Sequence, residues 1–568
     1  MKPPWERPGV EELAQLTRRG ENTVFIAPTG YGKSKSTHRL LAIAEQEHVA
    51  VRAVHVLPLR ALVEELYNYY TGLLGDAAGY LAGIHHLPRS GYSGLMLRRL
   101  TVSTIDSFSL NLAKVPVTEL RMVREGLMEG HYELPRTAIL TSLVVLDETH
   151  LYAEPWTNKP QPPLGRIFLE AAAETLAEMH TPLVLETATL PVNYTKKLAK
   201  ISKARILAVC RSCGDNTYTR IHDKEYEETH THQWRTRLAK GGLPEATKKA
   251  REEAEKGRKV LLAVNTVKDA LQAHSLLLDM GQKPVLIHGR LSARDRMEAV
   301  RKIREAEIII ATQVIEAGVD VDAEALVTAA APPSTLAQRA GRLCRSEKTI
   351  EKCSEEPPTI TIYTPSQPHP YPQRTIQKTI HLITHILTGG KEIEWRLLDD
   401  RPGYKTYTHL IDAAEQPTYH RPPGEVTAYK ILLRYTLQNP LIGHKYTDTL
   451  LERYCSLVRG TTLVALAIPR GKDYDHLEAP LDWLKHHPEI LECRQGRCKI
   501  IAIHYTDTGE EAEEEWIDAQ TVSRMLTSCK TYQETLARIA SKTKTRNIHD
   551  IHLAVKEEAY KPGIGLTP

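Results

Sequence analysis

Residues 23–34, TVFIAPTGYGKS, restrict what this chain can fold into more than any other segment. A short apolar strand runs into a loop holding Gly30, Gly32, Lys33 and Ser34, and a helical pattern opens at Lys33. A strand that feeds a helix through a tight glycine turn is the first half of a strand–helix–strand unit, so a parallel sheet has to follow. Gly30 and Gly32 let the backbone fold back until its N–H groups converge, and the helix N-terminus adds partial positive charge. Such a loop cradles phosphates. Ala27, Pro28, Thr29 and Tyr31 complete it, Lys33 reaches the β- and γ-phosphate oxygens, and Ser34 offers a hydroxyl to Mg²⁺. A glycine-rich turn without a ligand would have no need of this place between strand and helix. The loop supports a nucleoside triphosphatase and is silent on what the energy is used for.

The sheet signal continues along the chain. AVRAVHVL, LTVST, LVVLD and PLVLET are short apolar runs between helical stretches, and residues 1–210 read as one α/β unit. Residues 211–243 are polar and rich in His and Thr, and read as a linker. The pattern restarts with KVLLAV, KPVLI, EIIIA, ALVTAA and TITIYT, with helices near 266–279, 292–304 and 334–343 between them. That is a second α/β unit over 244–365. The proline-rich PSQPHPYPQ breaks it, and 366–568 read as a linker helix and a mixed α+β C-terminal accessory domain. The acidic run GEEAEEEW reads as a solvated turn. A length of 568 residues suits three or four domains of roughly 100–200 residues each.

A formal net charge of +4 creates no global basic field, so any surface for nucleic acid must be local. No run of about 18 apolar residues exists, so no membrane span is expected. The first residues carry no secretory signal, and the eight scattered cysteines form no disulfide framework. A cytoplasmic protein with reduced thiols is the expectation. Cys210-x-x-Cys213 lacks the second pair of matching spacing that a zinc site needs.

Two further segments carry chemistry. LVVLDETH ends a buried strand in Asp147, Glu148 and His150. A carboxylate at a strand end beside a phosphate loop is where Mg²⁺ takes its second contact. Asp147 then joins Ser34 as the metal partner, and Glu148 orients and deprotonates the attacking water. His150 is placed to couple this site to the neighbouring unit. In the second unit, STLAQRAGRLCR puts Gln338, Arg339, Arg342 and Arg345 on a predicted helix. Gln338, Arg342 and Arg345 share one of its faces. A guanidinium set on a γ-phosphate stabilises the charge of the transition state. ATP is therefore expected in a cleft between the two units.

The set of motifs resembles the superfamily 2 DExD/H-box helicases. APTGYGKS is similar to their motif I, PLRAL to motif Ia, TVSTIDSF to the Ib/Ic region, DETH to motif II and TAT to motif III. AVNT is similar to motif IV, ATQVIEAGVD to motif V and QRAGRLCR to motif VI. STIDSF, TATLP, HGRLSARDR and the tail YKPGIGL narrow the resemblance to the CRISPR-associated helicase of type I interference systems.

The resemblance implies two tandem RecA-like parallel-sheet domains, ATP and Mg²⁺, and 3′→5′ movement on single-stranded DNA. It implies that Gly318 and Asp320 of motif V face the nucleotide, with Gln338, Arg342 and Arg345. It implies that Thr187 and Thr189, with His150, couple hydrolysis to movement. Arg60, Thr104, Thr266 and Thr312 are its candidates for sugar-phosphate contacts, a task that small hydroxyls perform without reading sequence. Partners would be a Cascade-like type I effector complex and an HD nuclease. Only 26 residues precede Ala27, so that nuclease is expected as a separate subunit, the split arrangement of type I-A. His222-Asp223 and His549-Asp550 read as chance HD dipeptides. ERPGVEELA lacks the glutamine that reads adenine in many relatives, with Val10 near its place, and HGR stands where this family often has HSR. A DExH RNA or DNA-repair helicase outside CRISPR, and a non-catalytic scaffold subunit, are the alternatives.

Overall fold

The computed structural model describes residues 3–83, 87–115, 131, 133–152, 163–316, 319–415, 424–438, 449–451, 453, 456–459, 462–471, 473–506, 509–542 and 548–567. The alternating pattern of the first unit folds into eight parallel strands. They are β1 (Thr23–Ile26), β2 (Arg52–Leu57), β3 (Ala78–Leu81), β4 (Leu100–Thr104), β5 (Ser142–Leu146), β6 (Leu183–Thr187), β7 (Arg205–Val209) and β8 (Tyr218–Ile221). Their order is β3-β4-β2-β5-β6-β1-β7-β8. β1, β4, β5 and β6 are buried along their whole length, as a sheet covered by helices on both faces requires.

The second unit holds β9 (Arg235–Leu238), β10 (Val260–Ala263), β11 (Val285–Ile287), β12 (Ile308–Ala311), β13 (Ala325–Ala329) and β14 (Thr359–Tyr363). They are parallel and ordered β11-β12-β10-β13-β14-β9. β8 and β9 both come from residues 211–243, so the stretch between the sheets also extends each of them. One hydrophobic core runs through both units, from Val24, Phe168 and Leu185 to Leu261, Ile309 and Leu336.

Residues 392–406 pack against β9. Trp234 Nε1 donates to Glu394 Oε1 at 2.8 Å, and Trp395 Nε1 donates to Thr236 Oγ1 at 3.0 Å. His232 is buried at this junction, its ring edge-on to Trp234, and neither ring nitrogen has a hydrogen-bond partner among the described residues. Burial first, then Arg396 and Arg401, pull its pKa down to about 3. Unfolding restores an ordinary value near 6.5, so below that pH the unfolded chain takes up a proton that the folded chain refuses. The stabilisation is complete above pH 6.5 and falls away toward pH 3. At pH 5 the loss is about 2 kcal/mol. His232→Asn should therefore lose about 2 kcal/mol less stability than the native chain between pH 7.5 and pH 5. Denaturant titrations at both pH values check this, and identical losses would refute it.

The C-terminal region forms a six-stranded mixed sheet with its own core around Leu466, Ile500 and Met525. Its strands are mostly antiparallel. The acidic run is not a solvated turn. Gly509–Asp518 is a strand paired antiparallel with Arg497–Thr506 along its length. It lies at a sheet edge, where charged side chains suit a strand that must not recruit another chain. The expectation of reduced thiols is corrected too. Cys210–Cys213, Cys344–Cys353 and Cys493–Cys498 are disulfides, and Cys529 is disulfide-bonded as well. Scattered in the whole chain, these three pairs are close in sequence, and turns bring their Cα atoms to 5.8, 6.2 and 3.9 Å. No helix among the described residues is long and apolar enough to cross a membrane.

Candidate nucleotide-binding cleft

β1 ends at Ile26, and the loop turns through Gly30 and Gly32 at φ +79° and +99°, which side chains disfavour. Lys33 is buried, and its Nζ donates to the carbonyls of Ala27 (2.9 Å) and Pro28 (3.1 Å). A short turn, Ser34–Ser36, leads into the helix Thr37–Gln46. Ser34 Oγ donates to Asp147 Oδ2, the pair expected to share a metal ion.

Asp147 follows β5 directly, fully buried, and its Oδ1 accepts the Glu148 N–H at 2.7 Å. Burial pushes the Asp147 carboxyl up, but His55, Ser34 and Lys33 together hold it below the ordinary range. Glu148 sits in the left-handed region at φ +49°. Burial, then the Asp147 charge, push its carboxyl up to about 7, which suits a group that must accept a proton. His150 is pulled down to about 3 by burial and is neutral. Its Nδ1 lies 3.3 Å from Glu148 Oε2 and 3.4 Å from Thr187 Oγ1, and its Nε2 lies 3.4 Å from Gln338 Nε2. One imidazole thus touches the acid pair, motif III and the second unit. Thr189 donates its N–H to Thr187 Oγ1 at 3.2 Å.

The second unit meets the phosphate loop at Gly341, where an added methyl would overlap Thr29 Oγ1. The arginines reach the cleft differently from the sequence expectation. The helix is Pro333–Ala340, capped at Gly341, so Gln338 and Arg339 are helical while Arg342 and Arg345 lie beyond its end. Gly341 ends the helix where the periodic pattern alone would continue it. Arg342 Nη2 donates to Glu316 O at 2.8 Å, and its buried Nε has no partner among the described residues. Its charge acts on Glu148. Arg345 Nη1 pairs with Asp320 Oδ1 at 2.6 Å. Arg339 is fully buried and bonds Glu316, Thr328 and Asn265, so it supports the loop from behind. Gly318 lies outside the described residues.

Several residues at this cleft were not legible as site residues. Arg7 donates to the carbonyls of Gly30 (3.1 Å) and Tyr31 (2.8 Å) and lies over the Tyr226 ring. Val10 is buried in the core. Tyr226 OH donates to Thr29 O at 3.1 Å. Arg396, almost fully buried, donates to Leu343 O and faces Gly30. It stands more than 360 positions after the loop, and an Arg in EWRLLDD carries no local signal. Asp223 of the first HD dipeptide caps a helix through Tyr226 N and accepts from Tyr31 OH at 2.7 Å, and His222 pairs with Glu227. Asp550 bonds His552, and the His549 side chain lies outside the described residues.

The four nucleic-acid candidates lie near the C-terminal ends of β2, β4, β10 and β12, where loops of parallel sheets carry ligands. Thr104 and Thr266 spend their hydroxyls as helix caps, accepting from Ser107 N and Asp269 N. Thr312 is buried. Arg60 pairs with Glu478 of the C-terminal sheet at 2.8 Å. Arg459 holds Asp106 and donates to Pro58 O, so the C-terminal region closes over this edge. The tail closes over HGRLSARDR: Tyr560 OH donates to Asp295 at 2.7 Å, and Leu566 N donates to Arg290 O at 3.0 Å.

Comparisons with known proteins agree with this architecture. The DEAD/DEAH box helicase family matches residues 8–198, and the family described as CRISPR-associated nuclease/helicase Cas3, C-terminal, matches residues 256–348. The CRISPR-associated helicase Cas3 of Thermoproteus tenax is 26% identical over 398 residues, which are 67% of this chain and 62% of the relative. The CRISPR-associated endonuclease/helicase Cas3 of Escherichia coli is 26% identical over 298 residues, 48% of this chain and 31% of that one. The chain therefore spans less than two thirds of the length of these relatives. The crystal structure of T. fusca Cas3-ATP has the same fold, with a TM-score of 0.57 at 18% identity, covering 82% of this chain and 58% of that one. The phosphate loop, acid pair and arginine loop assemble at one cleft, and over these domains the chain is similar to DEAD/DEAH box helicases and to CRISPR-associated Cas3 helicases.

Proposed function

We propose that the chain hydrolyses ATP in the cleft between its two parallel-sheet domains and converts the cycle into 3′→5′ movement along single-stranded DNA in type I CRISPR interference. The contact of Gly341 with Thr29 carries the reading, because it sets Arg342 against the loop that holds Lys33. On this reading Lys33 leaves the Ala27 and Pro28 carbonyls for phosphate oxygens. Ser34 and Asp147 fit a hard cation, since their oxygens already touch. They would hold Mg²⁺, which supplies charge neutralisation at the β- and γ-phosphates. Glu148 accepts the proton of the attacking water, Arg342 stabilises the leaving charge, and Arg345 orients Asp320. Ala27, Pro28, Thr29, Gly30, Tyr31 and Gly32 present backbone N–H groups to the phosphates. Loss of the γ-phosphate shifts Arg342, and His150 passes the shift from Gln338 to Thr187 and Thr189.

Movement needs Arg60 to exchange Glu478 for a phosphate, with Thr104, Thr266 and Thr312 lining the same path. The reading extends to a Cascade-like effector complex as recruiter, a separate HD nuclease subunit as the user of the unwound strand, and a cytoplasmic setting. The test is steady-state ATP hydrolysis with single-stranded DNA, with RNA and with neither, followed by unwinding of DNA with a 3′ or a 5′ overhang. Stimulation by DNA and unwinding from the 3′ overhang are expected. Stimulation by RNA alone would turn the reading to an RNA helicase, and no hydrolysis at all to a scaffold.

A further inference from the structure

The phosphate-loop face of the first sheet holds a cluster of which only Asp147 is used in ATP hydrolysis. His55 lies on β2, Asp147 follows β5 and Glu186 lies on β6, three neighbouring parallel strands. His55 pairs with Val145, and Leu146 pairs with Leu185. Alternation along each strand therefore turns His55, Asp147 and Glu186 to the same face. All three are fully buried, and one nitrogen or oxygen from each lies within 4.8 Å of the others. His55 Nδ1 is 2.8 Å from Thr37 Oγ1, and its Nε2 is 3.4 Å from Asp147 Oδ2. Neither carboxylate oxygen of Glu186 has a hydrogen-bond partner among the described residues. The nearby Lys33 ammonium is taken up by loop carbonyls.

We propose that His55, Asp147 and Glu186 bind a divalent transition-metal ion of the Mn²⁺ or Zn²⁺ class beneath the phosphate loop, distinct from the Mg²⁺ of the nucleotide. Two carboxylates and one imidazole suit borderline ions, whereas Mg²⁺ takes oxygen ligands. Bonds of about 2.1 Å put neighbouring ligand atoms about 3–3.5 Å apart, the His55–Asp147 spacing. With Nδ1–H donated to Thr37, the Nε2 lone pair faces the two carboxylates, the arrangement a ligating histidine needs. The two unpartnered oxygens of Glu186 supply the remaining ligand. The ion fixes Asp147 toward Ser34 whether or not nucleotide is bound. Asp147 is shared with the ATP site, but binding of this ion does not require hydrolysis, so the two readings fail separately.

The test uses the untagged full chain, stripped with chelator, without nucleotide. Mn²⁺ or Co²⁺ is added, loose ion is removed, and bound metal is measured by elemental analysis. About one ion per chain is expected, reduced at least tenfold in occupancy by Glu186→Gln at unchanged thermal midpoint. Bound Mn²⁺ should show nitrogen hyperfine coupling from one imidazole, which an all-oxygen phosphate site cannot give, and His55→Gln should abolish it. That measurement on the native chain decides the matter even where Glu186→Gln fails to fold. A native chain that binds no ion would overturn the proposal. Equal metal content in native and Glu186→Gln chains, or binding only with ATP present, would overturn it as well.

Discussion

Replacing Arg342 with alanine is expected to lower ATP turnover by about 10³-fold or more while leaving ATP affinity within a few-fold. The guanidinium is anchored by one nitrogen on the Glu316 carbonyl, and its buried Nε is left without a partner. Its charge reaches Glu148 across the cleft. Ground-state binding rests on the loop of the other domain, through Gly30, Gly32 and Lys33, so removal of Arg342 takes away an interaction that matters when charge develops. Arg342→Lys keeps a charge but has no second nitrogen to span the Glu316 carbonyl and a phosphate, and should recover only part of the rate. Arg345→Ala should cost less, because Arg345 is already paired with Asp320. Turnover and equilibrium nucleotide binding, measured separately at matched stability, check the set. An Arg342→Ala chain that loses affinity as much as rate would move this residue from the transition state to ordinary binding.

What could be read from the sequence follows from how far apart the interacting residues stand. The phosphate loop and the acid pair are each local: the strand, turn and helix that place Lys33 and Ser34 lie within a dozen positions, and Asp147 comes straight off the end of β5. The two parallel sheets were legible because their strands are buried apolar runs separated by helices. Arg342 lies beyond the helix on which the periodic pattern put it, since Gly341 ends the helix and periodicity does not register a stop. Thr104 and Thr266 have a local use as well. A threonine before a helix is first of all a cap, and both hydroxyls are used that way. The acidic strand Gly509–Asp518 was hidden because strand pairing overrides the polarity of its side chains. Arg7, Arg396 and the His55–Asp147–Glu186 cluster meet only after strand order and domain packing are set. No spacing along the chain encodes that.

Glu148→Gln should reduce ATP turnover by about 10²–10⁴-fold and leave nucleotide bound, so the chain is trapped in its closed, ATP-loaded state. The substitution keeps the shape of the side chain and its place at φ +49° but removes the atom that takes the proton. Asp147 retains its bonds to Ser34 and to the backbone N–H of residue 148, so metal and phosphate binding persist. His150 loses the carboxylate 3.3 Å from Nδ1 but keeps Thr187 and Gln338 within 3.4 Å, so the path between the domains survives. Single-turnover hydrolysis should fall with turnover, while equilibrium ATP binding stays within a few-fold and ATP-dependent retention on single-stranded DNA rises. Asp147→Asn is the contrast, because it weakens a metal ligand and should lower nucleotide affinity as well as rate. If Glu148→Gln loses ATP affinity in step with rate, as Asp147→Asn should, Glu148 belongs to the binding apparatus and another group must accept the proton. If its turnover is unchanged, Glu148 is not the base.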